Sequence, residues 1–340
     1  MSATMKDIAN ETGLGLATIS SYFNGGNVRP GNREKIEAAI EKLHYEINET
    51  ARGLKTDRTR TIGVVIPELQ NMFAAKVICH MEDILLKHGY AMIVCDCRTD
   101  RKREREAVEF LKKRRVDALF NIPVDNEGGH LKSFLKTGRP VVLIDREIKG
   151  IACDTVCTDN FRAIADAVRL MAANGHRRLG MITGPQEISA ARERLRGFRS
   201  ACEELGIAEA DCVTACGDDT MEGGARAAEE ILAGEKHPTG MIISNYSMTV
   251  GAIIRLNEMG ISIPEDLSVI GFDNINFAKA MNPVLTIVDQ PETLIAEAAA
   301  ELLLKRIEAA GDEAEGARHV VIPARMVEGR SVRKIRGEEK

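Results

Sequence analysis

Residues 4–23, TMKDIANETGLGLATISSYF, carry the most specific local pattern in the chain. Thr4 is a good N-cap for a helix, and Asp7, three residues later, completes a pattern much like a capping box. Gly13 can adopt the positive φ of a sharp turn, and a second helix then covers residues 16–23. This order predicts a helix-turn-helix, and a small αα-hairpin without a DNA-reading role is the alternative.

A third helix over residues 33–43 places apolar side chains on one face and closes a small core. The outer face of the second helix can then enter the major groove of DNA. The side chains expected to face the base edges are Leu16, Ala17, Ser20 and Ser21. Leu16 and Ala17 can make only apolar contacts, for example with thymine methyl groups. Thr18 and Asn24 are expected to hold phosphates.

From residue 61 onward, short apolar segments alternate with amphipathic ones. The predicted strands, apolar on both faces as buried parallel strands are, cover residues 61–66, 91–95, 118–122, 141–144, 179–183, 241–244 and 269–272. The predicted helices cover residues 74–88, 101–114, 161–173, 192–205, 221–233 and 247–259. This alternation implies an α/β fold with parallel strands. Periodicity leaves open one barrel or two open sheets, with crossings between two lobes near residues 159–161 and 288–291.

The composition of the 340 residues excludes several classes of protein. The formal net charge is -5, so any surface that binds nucleic acid must be local. No apolar run reaches the roughly 20 residues that span a bilayer, and the first ten residues have no signal-peptide core. We therefore expect a cytoplasmic protein without membrane contact, whose eight cysteines are reduced and packed inside. Their spacing matches no zinc site, and we expect no metal, cofactor or catalytic residue.

The sequence resembles the lactose/galactose repressor (LacI/GalR) family over nearly its whole length. The matching motifs are MKDIA (5–9), ATIS (17–20), REKIEAAI (33–40), RTIGVVIP (60–67), VVLIDR (141–146), GHRR (175–178), ARERLRGF (191–198) and IPEDLSVIGFD (263–273). The resemblance implies an N-terminal helix-turn-helix headpiece and a two-lobed, type I periplasmic-binding-protein-like domain with parallel sheets. It also implies a homodimer on a pseudo-palindromic operator in double-stranded DNA.

The resemblance implies four regions. They are a DNA-binding domain (1–46), a hinge helix and linker (47–60), a ligand-sensing and dimerisation domain (61–332) and a solvated tail (333–340). Within the hinge, Asn48, Ala51 and Leu54 are expected to contact DNA, with Leu54 wedged into the minor groove. A plain linker role for Leu54 is the alternative. Ser21 departs from the family, which usually has Arg at this position, so the operator sequence is open.

The family binds its ligand between the lobes, at loops that follow the carboxyl ends of strands. The matching residues are Asn71, Phe73, Asp145, Arg194, Asn245 and Asp273. Arg146, Asp159, Asn160 and Arg192 are expected as further contacts. Asn, Asp and Arg together suit a polyhydroxylated or carboxylate-bearing ligand, so the resemblance implies a sugar or sugar acid as effector.

The sequence thus predicts a ligand-responsive transcriptional regulator that acts as a repressor, and not an enzyme. A transport-type solute-binding protein would share only the two-lobed domain and would lack the first 60 residues. An enzyme on an α/β scaffold would need a nucleophile elbow, a P-loop, a metal triad or a dinucleotide loop, and none is found. The effector, the sign of its action, and the choice between a dimer and a higher oligomer stay open.

Overall fold

The computed structural model describes residues 3–23, 25–45, 58–234, 237–309 and 316–335. The chain divides into two compact units, residues 1–59 and residues 60–340. Among the described residues, no helix combines the length and the apolar character that crossing a bilayer requires.

Three helices form the N-terminal unit: α1 (Met5–Thr12), α2 (Leu16–Phe23) and α3 (Pro30–Leu43). Ile8, Ile19 and Ile36, one from each helix, are fully buried against one another in a small core. Helix α3 begins earlier than the predicted residue 33 because Pro30, with its fixed φ and missing N–H, suits the first helical position.

The ends of α1 have the predicted cap and turn. At the start, the backbone N–H of Thr4 donates to the Asp7 carboxylate at 2.8 Å, and the Thr4 hydroxyl donates to the same oxygen at 2.7 Å. These two bonds lower the pKa of Asp7, because they favour the charged carboxylate. At the other end, Gly13 has φ 67°, in the left-handed region that favours glycine.

The unit of residues 60–340 contains two lobes, each built on a six-stranded sheet. Lobe 1 contains β1 (Thr61–Ile66), α4 (Met72–Lys87), β2 (Ala91–Asp96), α5 (Arg101–Lys113), β3 (Ala118–Asn121), α6 (Gly129–Leu135), β4 (Val141–Ile144), β5 (Asp154–Thr158), and, from later in the chain, α12 (Glu292–Glu308) and β11 (His319–Ile322). Its strand order is β11-β5-β4-β3-β1-β2, and every pairing is parallel.

Lobe 2 repeats this arrangement. It contains α7 (Asn160–Ala173), β6 (Leu179–Thr183), α8 (Ser189–Glu204), β7 (Cys212–Cys216), α9 (Met221–Leu232), β8 (Gly240–Ile243), α10 (Tyr246–Glu258), β9 (Ser268–Phe272), α11 (Ile275–Ala280), β10 (Thr286–Asp289) and β12 (Arg325–Val327). Its strand order is β12-β10-β9-β8-β6-β7, and only the β10–β12 pairing is antiparallel. The structure therefore contains two open sheets and not the single barrel that periodicity also allowed.

Each sheet is covered by helices on both faces. In lobe 1, α4 and α12 pack on one face, and α5 and α6 pack on the other. In lobe 2, α7 and α8 cover one face, and α9 and α10 cover the opposite face. Most cysteines are buried or half-buried in these layers, but Cys79 and Cys216 are exposed, so the expectation that all cysteines pack inside is wrong for these two.

The chain passes between the lobes three times. The passages join β5 to α7, β10 to α12, and β11 to β12. The first two lie near the predicted residues 159–161 and 288–291, and the third, at residues 323–324, is not anticipated by the sequence. At the end of the described chain, the backbone N–H of Ile335 donates to the carbonyl of Asn174 at 2.8 Å. The first part of the predicted tail is therefore bonded to lobe 2.

Candidate functional site

A cleft between the two lobes is the candidate site. It opens at the carboxyl ends of the parallel strands of both sheets, where strand order reverses: between β1 and β3 in lobe 1 and between β6 and β8 in lobe 2. Strand-end loops at such a reversal splay apart and leave a crevice, which is where open α/β sheets bind ligands. The fold therefore directs side chains from both lobes into one cleft.

All six predicted ligand residues line this cleft: Asn71, Phe73, Asp145, Arg194, Asn245 and Asp273. Asn71 and Asn245 are also N-caps. The Asn71 Oδ1 atom accepts from the backbone N–H of Ala74 at 3.1 Å, and Asn245 Oδ1 accepts from that of Met248 at 2.8 Å. Capping fixes both amide groups at the cleft wall. Phe73 packs in the core of lobe 1 and also lines the cleft.

Asp145 and Asp273 occupy equivalent places in the two lobes. Asp145 follows β4 and Asp273 follows β9, each the fourth strand of its lobe. Both have positive φ, 67° and 60°, and each backbone N–H donates to the neighbouring strand, at 2.9 Å to the Val156 carbonyl and 2.7 Å to that of Val288. Asp tolerates this left-handed conformation better than most residues, and the turn directs both carboxylates into the cleft.

The carboxyl group of Asp273 is almost completely buried. Its two oxygens accept from the Gln290 side-chain amide at 3.1 and 3.0 Å. Burial raises the pKa of Asp273 to about 7, although the nearby Arg194 guanidinium acts in the opposite direction. Asp273 is thus a buried acceptor whose charge changes near neutral pH.

Arg194 is the buried cation of the cleft. From α8, its Nε donates to Asn160 Oδ1 at 2.7 Å, its Nη1 donates to the Ser244 carbonyl at 2.5 Å, and its Nη2 approaches Gln290 Oε1 at 3.5 Å. The guanidinium carbon lies 4.0 Å from the centre of the Phe272 ring. Burial lowers the pKa of Arg194, and nearby carboxylates oppose that shift. The protein itself therefore already fixes the orientation of this side chain.

Two important cleft residues, Asp219 and Gln290, are missing from the sequence predictions. Asp219 Oδ1 accepts from the Asn245 amide at 2.6 Å, and burial raises the pKa of Asp219. Gln290 Oε1 accepts from the Thr158 hydroxyl of lobe 1 at 2.6 Å, while its amide donates to Asp273 of lobe 2. Gln290 therefore forms hydrogen bonds to both lobes. Both residues follow strands that the sequence does not predict, β7 and β10, and recognising those strands would have revealed them.

The further expected contacts divide into three groups. Arg146 lines the cleft, with its Nε 3.5 Å from Asp145 Oδ2 and its Nη2 3.9 Å from Asp219 Oδ2. Asn160 lies behind Arg194 and holds it. Asp159 and Arg192 line a neighbouring depression instead of the cleft. The structure thus places both outside the cleft: Asp159 caps α7, and Arg192 donates to the carbonyls of the loop before α8.

The predicted DNA-reading residues of α2 differ in exposure. Leu16 and Ala17 are exposed, whereas Thr18, Ser20 and Ser21 are half-buried. Ser21 lies directly over Gly26, where an added Cβ would collide with its hydroxyl oxygen. The other predicted DNA contacts, Asn24, Asn48, Ala51 and Leu54, lie outside the described residues. Within the described residues, no group of His, Cys, Asp and Glu side chains has the geometry to hold a metal ion.

A helix-turn-helix unit followed in one chain by a two-lobed unit of this kind defines a class of bacterial transcription regulators. Two family models match: "Bacterial regulatory proteins, lacI family" over residues 4–48, and "Periplasmic binding protein-like domain" over residues 168–332. The HTH-type transcriptional repressor PurR of Klebsiella pneumoniae (strain 342) is 32% identical over 334 residues, which is 97% of each chain. The chain belongs to the lacI family.

Solved structures agree with this fold. The lac repressor dimer, bound to operator and the anti-inducer ONPF, has a TM-score of 0.84 at 22% identity, covering 98% of this chain and 100% of that one. A LacI family regulator of Enterococcus faecium with bound ribose has a TM-score of 0.73 at 28% identity, covering 81% of this chain and 100% of that one. This protein is a DNA-binding transcriptional repressor of the lacI family, and its relatives are repressors and not enzymes.

Proposed function

We propose that this repressor responds to a small polar metabolite bound in the interlobe cleft. The observation that carries the proposal is the convergence of hydrogen-bonding side chains from both lobes on one cleft, with Gln290 joined to Thr158 on one side and to Asp273 on the other. A ligand that bonds to both sets of side chains stabilises one arrangement of the lobes over others. Allosteric coupling of this kind typically changes affinity by about 5- to 150-fold.

The repressor reads its operator with α2 and the hinge. In this proposal Leu16 and Ala17 contact base edges, Ser20 and Ser21 assist, and Thr18 holds a phosphate. Asn24 also holds a phosphate, and the segment containing Asn48, Ala51 and Leu54 forms the hinge helix that enters the minor groove. Because α2 has no basic side chain on this face, direct readout of guanine is weak, and sequence-dependent DNA shape contributes more to specificity.

The repressor acts as a cytoplasmic homodimer on a pseudo-palindromic operator. Support comes from apolar side chains exposed on lobe 1: Leu86 of α4 is 57% exposed, and Val94 of the edge strand β2 is 38% exposed. An edge strand with exposed apolar residues is a surface that a second copy can cover. Sedimentation velocity across a range of concentrations tests this part, and a monomer at micromolar concentration contradicts it.

The central experiment separates DNA reading from ligand sensing. Operator sites are selected from random duplexes with the purified full chain, and binding is measured by fluorescence anisotropy between 50 and 200 mM salt. Affinity should fall by about 10³- to 10⁵-fold for six to ten phosphate contacts, because bound counterions are released. A thermal-shift screen of sugars, sugar acids and nucleosides then identifies ligands, which raise the melting temperature. A ligand that raises the melting temperature and leaves operator affinity unchanged contradicts the sensing role.

A further inference from the structure

The charges that line the cleft do not balance. Three carboxyl groups, of Asp145, Asp219 and Asp273, share the cleft with two guanidiniums, Arg146 and Arg194. The carboxylates are close enough for Asp145 to raise the pKa of both Asp219 and Asp273, secondary to the effect of burial. The two guanidiniums balance Asp145 and Asp219, and Asp273, whose pKa is about 7, adds a further negative charge once it is deprotonated. Glu68 at the cleft wall adds to this excess, whereas the charge of Asp218 is neutralised by its ion pair with Arg226.

The protein engages the two guanidiniums unequally. Arg194 donates to Asn160, to the Ser244 carbonyl and weakly to Gln290. Arg146 donates to the Pro123 carbonyl at 3.1 Å, but it faces Asp145 Oδ2 at 3.5 Å and Asp219 Oδ2 at 3.9 Å, and its buried Nε donates to no residue that the structure describes. A carboxylate on a ligand could therefore approach Arg146 only beside the carboxylates of Asp145 and Asp219, whose like charges oppose it.

One oxygen of the Asp145 carboxylate has no hydrogen-bond donor among the described residues. Its Oδ1 atom is buried and receives no hydrogen bond from any residue that the structure describes. Its other oxygen faces the Arg146 Nε at 3.5 Å, which is longer than a good hydrogen bond. A buried carboxylate oxygen without a donor is unfavourable, so a ligand that brings an N–H or O–H group to this oxygen gains affinity from it.

Neighbouring residues hold the carboxylate of Asp219 in place at the cleft wall. Gly184 leaves the necessary space, because an added Cβ there would lie 2.6 Å from Asp219 Oδ1. The Asn245 amide fixes that oxygen, and Asp219 has φ 64°, in the left-handed region. The second oxygen, Oδ2, faces Arg146 only at 3.9 Å. Asp219 is therefore held in position by the protein but only partly neutralised by it.

We propose that the effector is a polyhydroxylated molecule that carries one protonated amine, and that its ammonium group binds to the carboxylates of Asp145 and Asp219. This inference rests on the proposed sensing function of the cleft, and it removes sugar acids from the ligand classes left open by the sequence. The ammonium supplies the positive charge that the cleft lacks and offers donors to Asp145 Oδ1. The hydroxyl groups bind the neutral amides of Asn71 and Asn245 and the carboxyl group of Asp273.

The test compares matched ligands on the full chain by titration calorimetry at pH 7. The probes are glucosamine, glucose and glucuronate; galactosamine, galactose and galacturonate; and glucamine, glucitol and gluconate. The tightest ligand should be an amine, bound at least about tenfold more tightly than its neutral counterpart, because charge-assisted bonds are roughly twice as strong as neutral ones. The acid of the same set should bind most weakly. A neutral or acidic ligand that binds most tightly, or the failure of every amine to bind at 10 mM, overturns the inference.

Asp219→Asn and Asp218→Asn form a matched pair of variants. Asp219→Asn keeps the oxygen that Asn245 bonds and removes the charge, so the amine should bind about tenfold more weakly while its neutral counterpart changes less than threefold. Asp218→Asn removes a charge that Arg226 already neutralises, at 2.7 Å, and should change neither. Equal losses of amine and neutral ligand in Asp219→Asn also overturn the inference. Operator anisotropy keeps the two proposals apart: a neutral ligand that alters DNA affinity refutes only the charge preference, whereas an amine that binds without altering DNA affinity refutes only the sensing role.

Discussion

Replacing Arg194 tests whether the cleft is one connected network. Arg194→Ala removes two short hydrogen bonds, at 2.7 Å to Asn160 and 2.5 Å to Ser244, and the contact with the Phe272 ring. It also leaves the cleft carboxylates with one counter-charge fewer. Truncating one partner of a buried charged network typically costs about 3–5 kcal/mol. Because burial itself disfavours the guanidinium, as its lowered pKa indicates, we expect the lower end, about 3 kcal/mol.

Arg192→Ala is the matched control on the same helix. Arg192 bonds the carbonyls of Gln186 and Glu187 at 3.0 and 2.7 Å on the protein surface, outside the cleft. Its loss should cost less than about 1 kcal/mol, since surface substitutions have small effects. Urea unfolding and thermal unfolding of the full chain, both followed by circular dichroism, measure the free energy of unfolding and the melting temperature of each variant. Arg194→Ala should lower the melting temperature by roughly 5–10 °C.

Ligand response distinguishes a cleft residue from a merely structural one. Arg194→Ala should bind operator DNA in one state with unchanged affinity at a temperature well below its melting point, yet respond to no effector. Arg192→Ala should respond normally. Equal stability of the two variants, or a full effector response in Arg194→Ala, would refute the reasoning.

Three further predictions concern other parts of the chain. The free energy of unfolding should fall as pH rises from about 4 to about 7, by up to about 1.4 kcal/mol per pH unit. The pKa of Asp273 is about 7 in the folded protein. Over this range the folded state therefore keeps a proton that the unfolded chain has already lost. Urea unfolding across this range should show a flatter profile in Asp273→Asn, and an unchanged profile contradicts the assignment. Gly13→Ala should destabilise the N-terminal unit by roughly 1 kcal/mol, because an L-residue resists positive φ. Gly15 also lies in open space but has no positive φ, so Gly15→Ala should leave the stability of this unit unchanged. Amide hydrogen exchange measures the stability of the unit in both variants. Leu54→Ala should weaken operator binding in the anisotropy assay and leave effector binding intact, and equal loss of both would indicate general unfolding.

The sequence predicts the parts of the fold whose signals are local. The helix-turn-helix follows from neighbouring residues such as Thr4, Asp7 and Gly13, and the long apolar strands follow from their own composition. Strand β5 (Asp154–Thr158) shows why other elements escape prediction. Its sequence is polar, yet every residue is buried. Asp154 is tolerated because Arg306, far along the chain, donates to both of its oxygens at 2.8 Å, and no short window of sequence contains that partner.

The candidate site likewise contains some residues that the sequence predicts and others that only the structure reveals. The family resemblance predicts Asp145, Arg194 and Asp273 as site residues because each lies within a sequence motif that matches the family. Asp219 and Gln290 follow β7 (CVTAC) and β10 (TIVD), in which polar residues interrupt the apolar run that marks the predicted strands. Their roles depend on bonds to Asn245 and Thr158 across the folded chain, so only the three-dimensional arrangement reveals them.

The three passages of the chain between the lobes limit how this sensor can be re-engineered. Lobe 1 is assembled from residues on either side of lobe 2 in the sequence, and β12 returns to lobe 2 after β11 has completed lobe 1. Neither lobe can therefore be excised or grafted as one continuous stretch. A chimaera that borrows the effector specificity of another repressor must exchange the whole of residues 60–335, with its junction between the two units.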